Sequence, residues 1–246
     1  MIRLCACILH YGEPELTARL HTHLHKAEPE RAQDVLVLDN AAPHAYAPAW
    51  HRLDANRYWA GAFAWFLAQA EALGYTHVWF CNNDIQLLSA GPYLKRLEAR
   101  LARLEKQGRV GALSPALEHN PYHRHTQQQP GGGCRPVPYL DGVAPVVSVQ
   151  AVAAVGGLDC EDNQYGYGVD VWLSLRLQQA GWQVLVDDGM LMRHRYHTTA
   201  NAVTGFMQTA AKAEEAFMQK RLGPQWREHM QQLQQGWQQP SGQTVE

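Results

Sequence analysis

The run HVWFCNNDIQL, residues 77–87, turns from apolar to polar within three positions and ends in Asn82, Asn83 and Asp84. A buried strand that terminates this way delivers a carboxylate on a rigid support. Mg²⁺ and Mn²⁺ take oxygen ligands and commonly use only one or two protein carboxylates, with substrate phosphate and water completing the sphere. One aspartate therefore suffices for such an ion, with Asn82 or Asn83 hydrogen-bonding around it. Standing alone, the same triplet would serve an Asx turn or a helix N-cap. A second carboxylate, Asp170, precedes the helical stretch 171–180. From a helix start it can cap the helix or, partly buried and tuned upward, act as a general base. Gly166 and Gly168 before it let the backbone pass close to a ligand. Tyr165, Tyr167 and Trp172 offer apolar ring planes that match the C–H faces of sugars, with core packing the alternative for Trp172.

Other clusters carry less. His21, His23 and His25 are spaced i,i+2, which on a helix does not align them for a metal. His119, His123 and His125 lie in a loop and suit contact with a bound ligand better than zinc. The five cysteines show no CxxC and read as buried free thiols of a reducing compartment.

These residues need elements to hold them. Residues 3–10 and 34–40 are short, near-continuous apolar runs, the pattern of strands buried on both faces of a parallel sheet. The stretch 13–26 between them is helical, with Pro14 in the first turn. A second helix spans 55–74, a third strand 76–84, and a third helix 91–108 carries Leu94, Leu97, Leu101 and Leu104 at helical spacing. A fourth strand follows at 109–115, and a late one at 182–188. The alternation implies a parallel α/β sheet with right-handed crossovers. Residues 115–138 break the rhythm with four prolines before Pro138, three consecutive glycines and three histidines; so long a loop is expected to serve the active site and to move with ligand. From about Ala202 the chain reads as helix, then as a glutamine-rich tail. The division is thus residues 1–200 as the main domain and 201–246 as a helical segment with a polar tail.

The formal net charge of −2 implies no attraction to nucleic acid. The N-terminus resembles no signal peptide, and no apolar run approaches a membrane span. The expectation is a cytoplasmic protein, with peripheral association at the inner membrane face compatible; oligomeric state is not legible.

Five motifs in this order resemble the family 2 glycosyltransferases of the GT-A fold. LCACILHYGEPE looks like the first strand and nucleotide-contacting turn, which places His10 and Tyr11 at the nucleotide; VLVLDN looks like the second strand, whose acid contacts base or ribose. NNDIQL looks like the DxD-type metal motif. GGLDCEDNQYGYGVDVWLSLRLQQAGW looks like the acceptor-side signature, and LMRH like the late strand and its histidine. The resemblance covers roughly residues 3–197 and implies a Rossmann-like, mostly parallel sheet flanked by helices with a C-terminal helical extension. By it, Asp170 is the general base. His10, Tyr11, Asp39, Asn40, Asn56, Asn82, Asn83, Asp141 and Gly142 bind the nucleotide sugar. Tyr167, Gly168 and Trp172 face the acceptor. Asp84 and His194 bind Mn²⁺ or Mg²⁺, with His197 an alternative to His194. The motif departs from the family's usual acids in that Asp170 is retained while Val169 and Trp172 stand in place of the neighbouring and following acids, and only one carboxylate remains in Asn82-Asn83-Asp84.

The implied activity is inverting, metal-dependent transfer of a hexosyl-type sugar from a nucleotide-diphosphate sugar to a saccharide or lipid-linked acceptor, by analogy in bacterial surface polysaccharide synthesis. Two other readings stand beside it. The thinned acidic motifs fit a catalytically impaired nucleotide-sugar-binding or scaffold protein. A sugar nucleotidyltransferase would want a Gly-rich, basic loop after the first strand, and LHYGEPE has one glycine and no basic residue.

Overall fold

A computed structural model describes residues 2–195 and 205–237. Strand β1 (Leu4–His10) leads into helix α1 (Pro14–Ala27), a short 3₁₀ turn (Pro29–Asp34), β2 (Val35–Asp39) and the two-residue β3 (His51–Arg52). Helix α2 (Tyr58–Ala72) crosses to β4 (His77–Asn82), which turns into β5 (Ile85–Leu87). Helix α3 (Tyr93–Leu104) and β6 (Val110–Leu117) follow, then β7 (Cys134–Pro136), β8 (Val146–Ser148) and α4 (Val149–Ala154). Helix α5 (Val169–Gln179) precedes β9 (Gln183–His194), and α6 (Phe206–Leu222) and α7 (Trp226–Gly236) complete the described chain.

The strands form one sheet in the order β3-β2-β1-β4-β8-β6-β9-β5, with β7 also on β9. Pairs β1–β2, β1–β4, β2–β3 and β6–β9 are parallel; β8 runs antiparallel between β4 and β6. Alternation along β1 explains the two cores. Cys5, Cys7 and Leu9 face α2, α4 and α5, where Phe63 stacks on Phe80 at 4.2 Å between centroids. Leu4, Ala6 and Ile8 face α1 and α3, where Leu94, Leu97, Leu101 and Leu104 are all buried. All five cysteines are unpaired, and four of them are buried.

The sheet is mostly parallel, with β8 running antiparallel through its middle. Asp187 and Asp188 are not at a strand end: β9 continues to His194, and the acids are held inside it by Arg100 and Arg135 at 3.3 and 2.7 Å. The loop 115–138 is tied down along its length. Arg135 is buried and donates to Asp188 and to the carbonyls of His125 and Gln127. Fully buried Asn120 donates to Thr126 Oγ1 and Asp141, and accepts from the Tyr122 and His123 amides.

Candidate active site

A cleft of about 560 Å³ opens beyond the carboxyl ends of β1 and β4, the place where open α/β sheets bind ligands. The turn from β4 into β5 brings Asn82, Asn83 and Asp84 to its wall, and the end of β9 brings His194; Asp84 Oδ1 and His194 Nε2 are 3.0 Å apart. The pairing of β5 with β9, Ile85 opposite His194, sets this approach. Neighbouring ligands of an octahedral ion at 2.0–2.1 Å lie about 3 Å apart, so the carboxylate and imidazole fit a divalent cation. Among the described residues no group of three or more His, Cys, Asp or Glu could hold a metal.

Asp170 occupies the first turn of α5, not its cap. The cap is Gly168, in the left-handed region at φ +81°, and a side chain there would meet Met218 of α6 at 2.9 Å. Gly166 (φ +110°) is likewise packed by protein, with Trp59 at 2.8 Å from a would-be Cβ. The close approach read from these two glycines is thus made by Trp59 and Met218. The Asp170 carboxylate accepts from the Gly142 amide (2.7 Å) through one oxygen and from the Val171 amide (2.8 Å) through the other. Burial, then repulsion from Asp141, pushes its pKa up to about 8 against the lowering effect of those two amides. Asp141 lines the cleft beside it and accepts from Asn120 at 2.7 Å.

Tyr11, Asn40, Asn56, Gly142, Tyr167 and Gly168 also line the cleft. Asn40 and Asn56 shape the entry to α2: Asn40 donates to Asn56 and accepts from the Arg57 amide, while Asn56 accepts from the amide of Tyr58, held at φ +53°. Asn83 donates to Thr17 and to the Tyr11 carbonyl. The structure keeps three expected residues out of the cleft lining. His10 is fully buried between Thr17 and the His44 carbonyl. Asp39 is fully buried and consumed by the Ala42 and Tyr46 amides and Arg52. Trp172 donates to Asp159 and packs on the core. His197 lies outside the described residues.

Residues without a motif complete the wall. Tyr58 and Trp59 come from α2, Tyr122 and His123 from the loop, and Phe206, Met207, Ala210, Ala211 and Glu214 from α6. Tyr58, Tyr165 and Phe206 form a ring cluster with centroids 4.5–6.1 Å apart. The tyrosines had a signal in their density around Gly166; α6 had none, since a helix that packs by scattered apolar positions leaves no stripe.

No protein-family model matches the chain. Uncharacterized protein Mb1552 of Mycobacterium bovis is 30% identical over 193 residues, covering 75% of this chain and 73% of its own. Uncharacterized protein Rv1525 of Mycobacterium tuberculosis matches to the same extent. This chain belongs to their family. N-acetylglucosaminyl-diphospho-decaprenol L-rhamnosyltransferase of Mycobacterium tuberculosis is 29% identical over 132 residues, 52% of this chain and 42% of that protein. The fold is that of the GT-A glycosyltransferases. A mannosyltransferase from Pyrobaculum calidifontis, solved with GDP-Man and Mn²⁺, superposes with a TM-score of 0.61 at 14% identity, covering 87% of this chain and 63% of that one. GalNAc-T7, solved with UDP, GalNAc and Mn²⁺, superposes at 0.62 and 10% identity over 79% of this chain and 44% of its own. Staphylococcus aureus TarS gives 0.60 at 11% identity, over 89% and 40%. The chain therefore spans less than two thirds of these solved structures. No helix among the described residues is long and apolar enough to cross a membrane.

Proposed function

We propose that the protein is a glycosyltransferase that moves a sugar from a nucleotide-diphosphate sugar to a saccharide or glycolipid acceptor, with inversion and with a divalent cation. The observation that carries this is one cleft lined by Asp84 with His194 and by a half-buried carboxylate whose pKa is raised, Asp170. The rhamnosyltransferase relative and the Mn²⁺-bearing GT-A neighbours support the class and suggest bacterial cell-wall glycan as the product.

Asp84 and His194 would hold Mn²⁺ or Mg²⁺, which supplies Lewis-acid stabilisation of the departing diphosphate when bound. Asn82, Asn83 and Tyr11 line the wall around them and suit the nucleotide portion. Asp170 accepts the proton of the acceptor hydroxyl as that oxygen bonds to the anomeric carbon and the bond to the diphosphate breaks. The Gly142 and Val171 amides fix the carboxylate for this. Its raised pKa is the usual tuning of a general base toward the working pH. Gly142, through that hydrogen bond, positions the base as well as lining the donor side. Trp59, packed against Gly142 and Gly166, keeps the cleft floor rigid.

A donor screen tests the reading: release of nucleoside diphosphate from UDP-, dTDP- and GDP-sugars in Mn²⁺. Turnover of one donor class, abolished in the double variant Asp84→Ala, Asp170→Asn, is expected. Binding of a nucleotide sugar without turnover, with or without acceptor sugars, would favour the impaired, binding-only relative.

A further inference from the structure

Glu214 stands on α6, where it lines the cleft on the same side as Asp170 and Tyr167. Its Cγ lies 3.5 Å from the point where a side chain on Gly168 would begin, and its charge acts on both Asp170 and Tyr167. No hydrogen bond or ion pair to its carboxylate is formed among the described residues; Arg227, the basic group that acts on it, is paired with Glu215 instead. Burial resists its ionisation. A half-buried acid facing a cleft with no protein partner is costly unless a ligand supplies donors. The surroundings say which ligand. Among the described residues no lysine or arginine lines the cleft, whereas Asp84, Asp141, Asp170 and Glu214 do.

We propose that Glu214 selects the acceptor: it accepts hydrogen bonds from the hydroxyls of a neutral sugar unit set against Tyr167, and it turns away units that carry a carboxylate or phosphate beside the reacting hydroxyl. This rests on the glycosyltransferase reading and adds the charge class of the acceptor. A carboxylate or phosphate set against Glu214 would have no lysine or arginine among the described residues to meet it, and it would bring another acceptor where Glu214 needs a hydroxyl donor.

The test uses the full chain loaded with Mn²⁺ and whichever of UDP, dTDP or GDP binds. Titration follows the binding of octyl hexosides (gluco, galacto, manno and N-acetylglucosaminide) and of the matching octyl uronides. The neutral glycosides are expected to bind at least ~10-fold more tightly than the uronides. Glu214→Gln should keep nucleotide affinity, weaken the neutral glycosides several-fold and shrink the neutral-to-uronide ratio. Glu215→Gln, which alters the neighbouring pair with Arg227, should leave that ratio as it is. Uronides binding as well as neutral hexosides, a ratio unmoved by Glu214→Gln, or no glycoside of either charge binding the loaded protein would each overturn the inference while leaving the donor reading intact. Failure of all three nucleotides to bind with Mn²⁺ would overturn the donor reading itself, and the inference with it.

Discussion

Asp170 is held where burial and Asp141 both resist its ionisation, so its behaviour with pH separates its roles. Its ordinary value is 3.8 and its value in the fold is about 8. The protonated form is therefore the one the fold favours; that contribution is fully present below pH 4 and is lost as the pH rises through 8. Asp170→Asn removes the titration. It also leaves either the Gly142 or the Val171 amide without its acceptor, a cost of about 1–3 kcal/mol. The parent's stability relative to the variant should thus fall as the pH rises from 5 to 8.5, read as the difference between their denaturation midpoints. Transfer shows the opposite slope. The parent's kcat/KM for acceptor should climb with pH toward 8 as the base ionises, and the variant should be flat and lower by roughly 10²–10⁴-fold. Donor affinity should be unchanged. A variant that transfers near the parent rate would remove Asp170 from the chemistry. Asp84→Ala makes the complementary case. It should leave the fold intact and abolish the Mn²⁺-dependent part of nucleoside diphosphate binding, read by calorimetry; unchanged affinity would sink the metal assignment.

At the scale of elements, legibility followed burial. Strands β1, β2 and β4 are buried on both faces and read as apolar runs; α3 turns four leucines to one core and reads at helical spacing. Strand β8 did not read, because Val146–Ser148 shares one valine-alanine run with α4 and periodicity cannot divide it. Asp187 and Asp188 looked like a strand exit because their neutralising arginines come from α3 and the 115–138 loop, far away in sequence. Asp39 is engaged in the same way, by Arg52 thirteen residues on. Asp84, His194 and Asp170 were legible as cleft residues since each sits next to a strand or helix end that the pattern marks. Arg135 gives the loop its own prediction. Both it and Asp188 are buried, so Arg135→Met strands a charge, a loss of about 3–5 kcal/mol. Chemical denaturation should show that loss, and limited proteolysis should cut within 115–138 faster than in the parent. An uncut loop in a destabilised variant would mean that Asn120 and the strand pairing of β7 hold it unaided.

Over the whole molecule, the strand ends of the sheet supply one part of the cleft wall and α6 another. Arg221 pairs with Asp159 and Asp162, and Lys220 pairs with Asp162, all in the loop before α5. The base and the helix that carries Glu214 are thereby locked to one another. The consequence is electrostatic. A diphosphate entering this cleft meets carboxylates and, among the described residues, no lysine or arginine on its walls. On the proposed function, a cation held at Asp84 and His194 would supply the attraction. An uncharged nucleoside faces no such requirement, since rings and amides in the cleft suffice for base and ribose. Calorimetric titrations of a nucleoside and its diphosphate, each with Mn²⁺ and again with EDTA, should therefore diverge. The nucleoside should bind weakly and equally in both; the diphosphate should gain at least ~10-fold from Mn²⁺, the lower end of what a close, partly desolvated charge pair contributes. Raising ionic strength should erode the Mn²⁺-dependent gain less than it would at an exposed site, because Asp84 and His194 are each about one-tenth exposed. A diphosphate that binds as tightly in EDTA as in Mn²⁺ would show that the phosphates are neutralised elsewhere, and would take the metal out of the donor site.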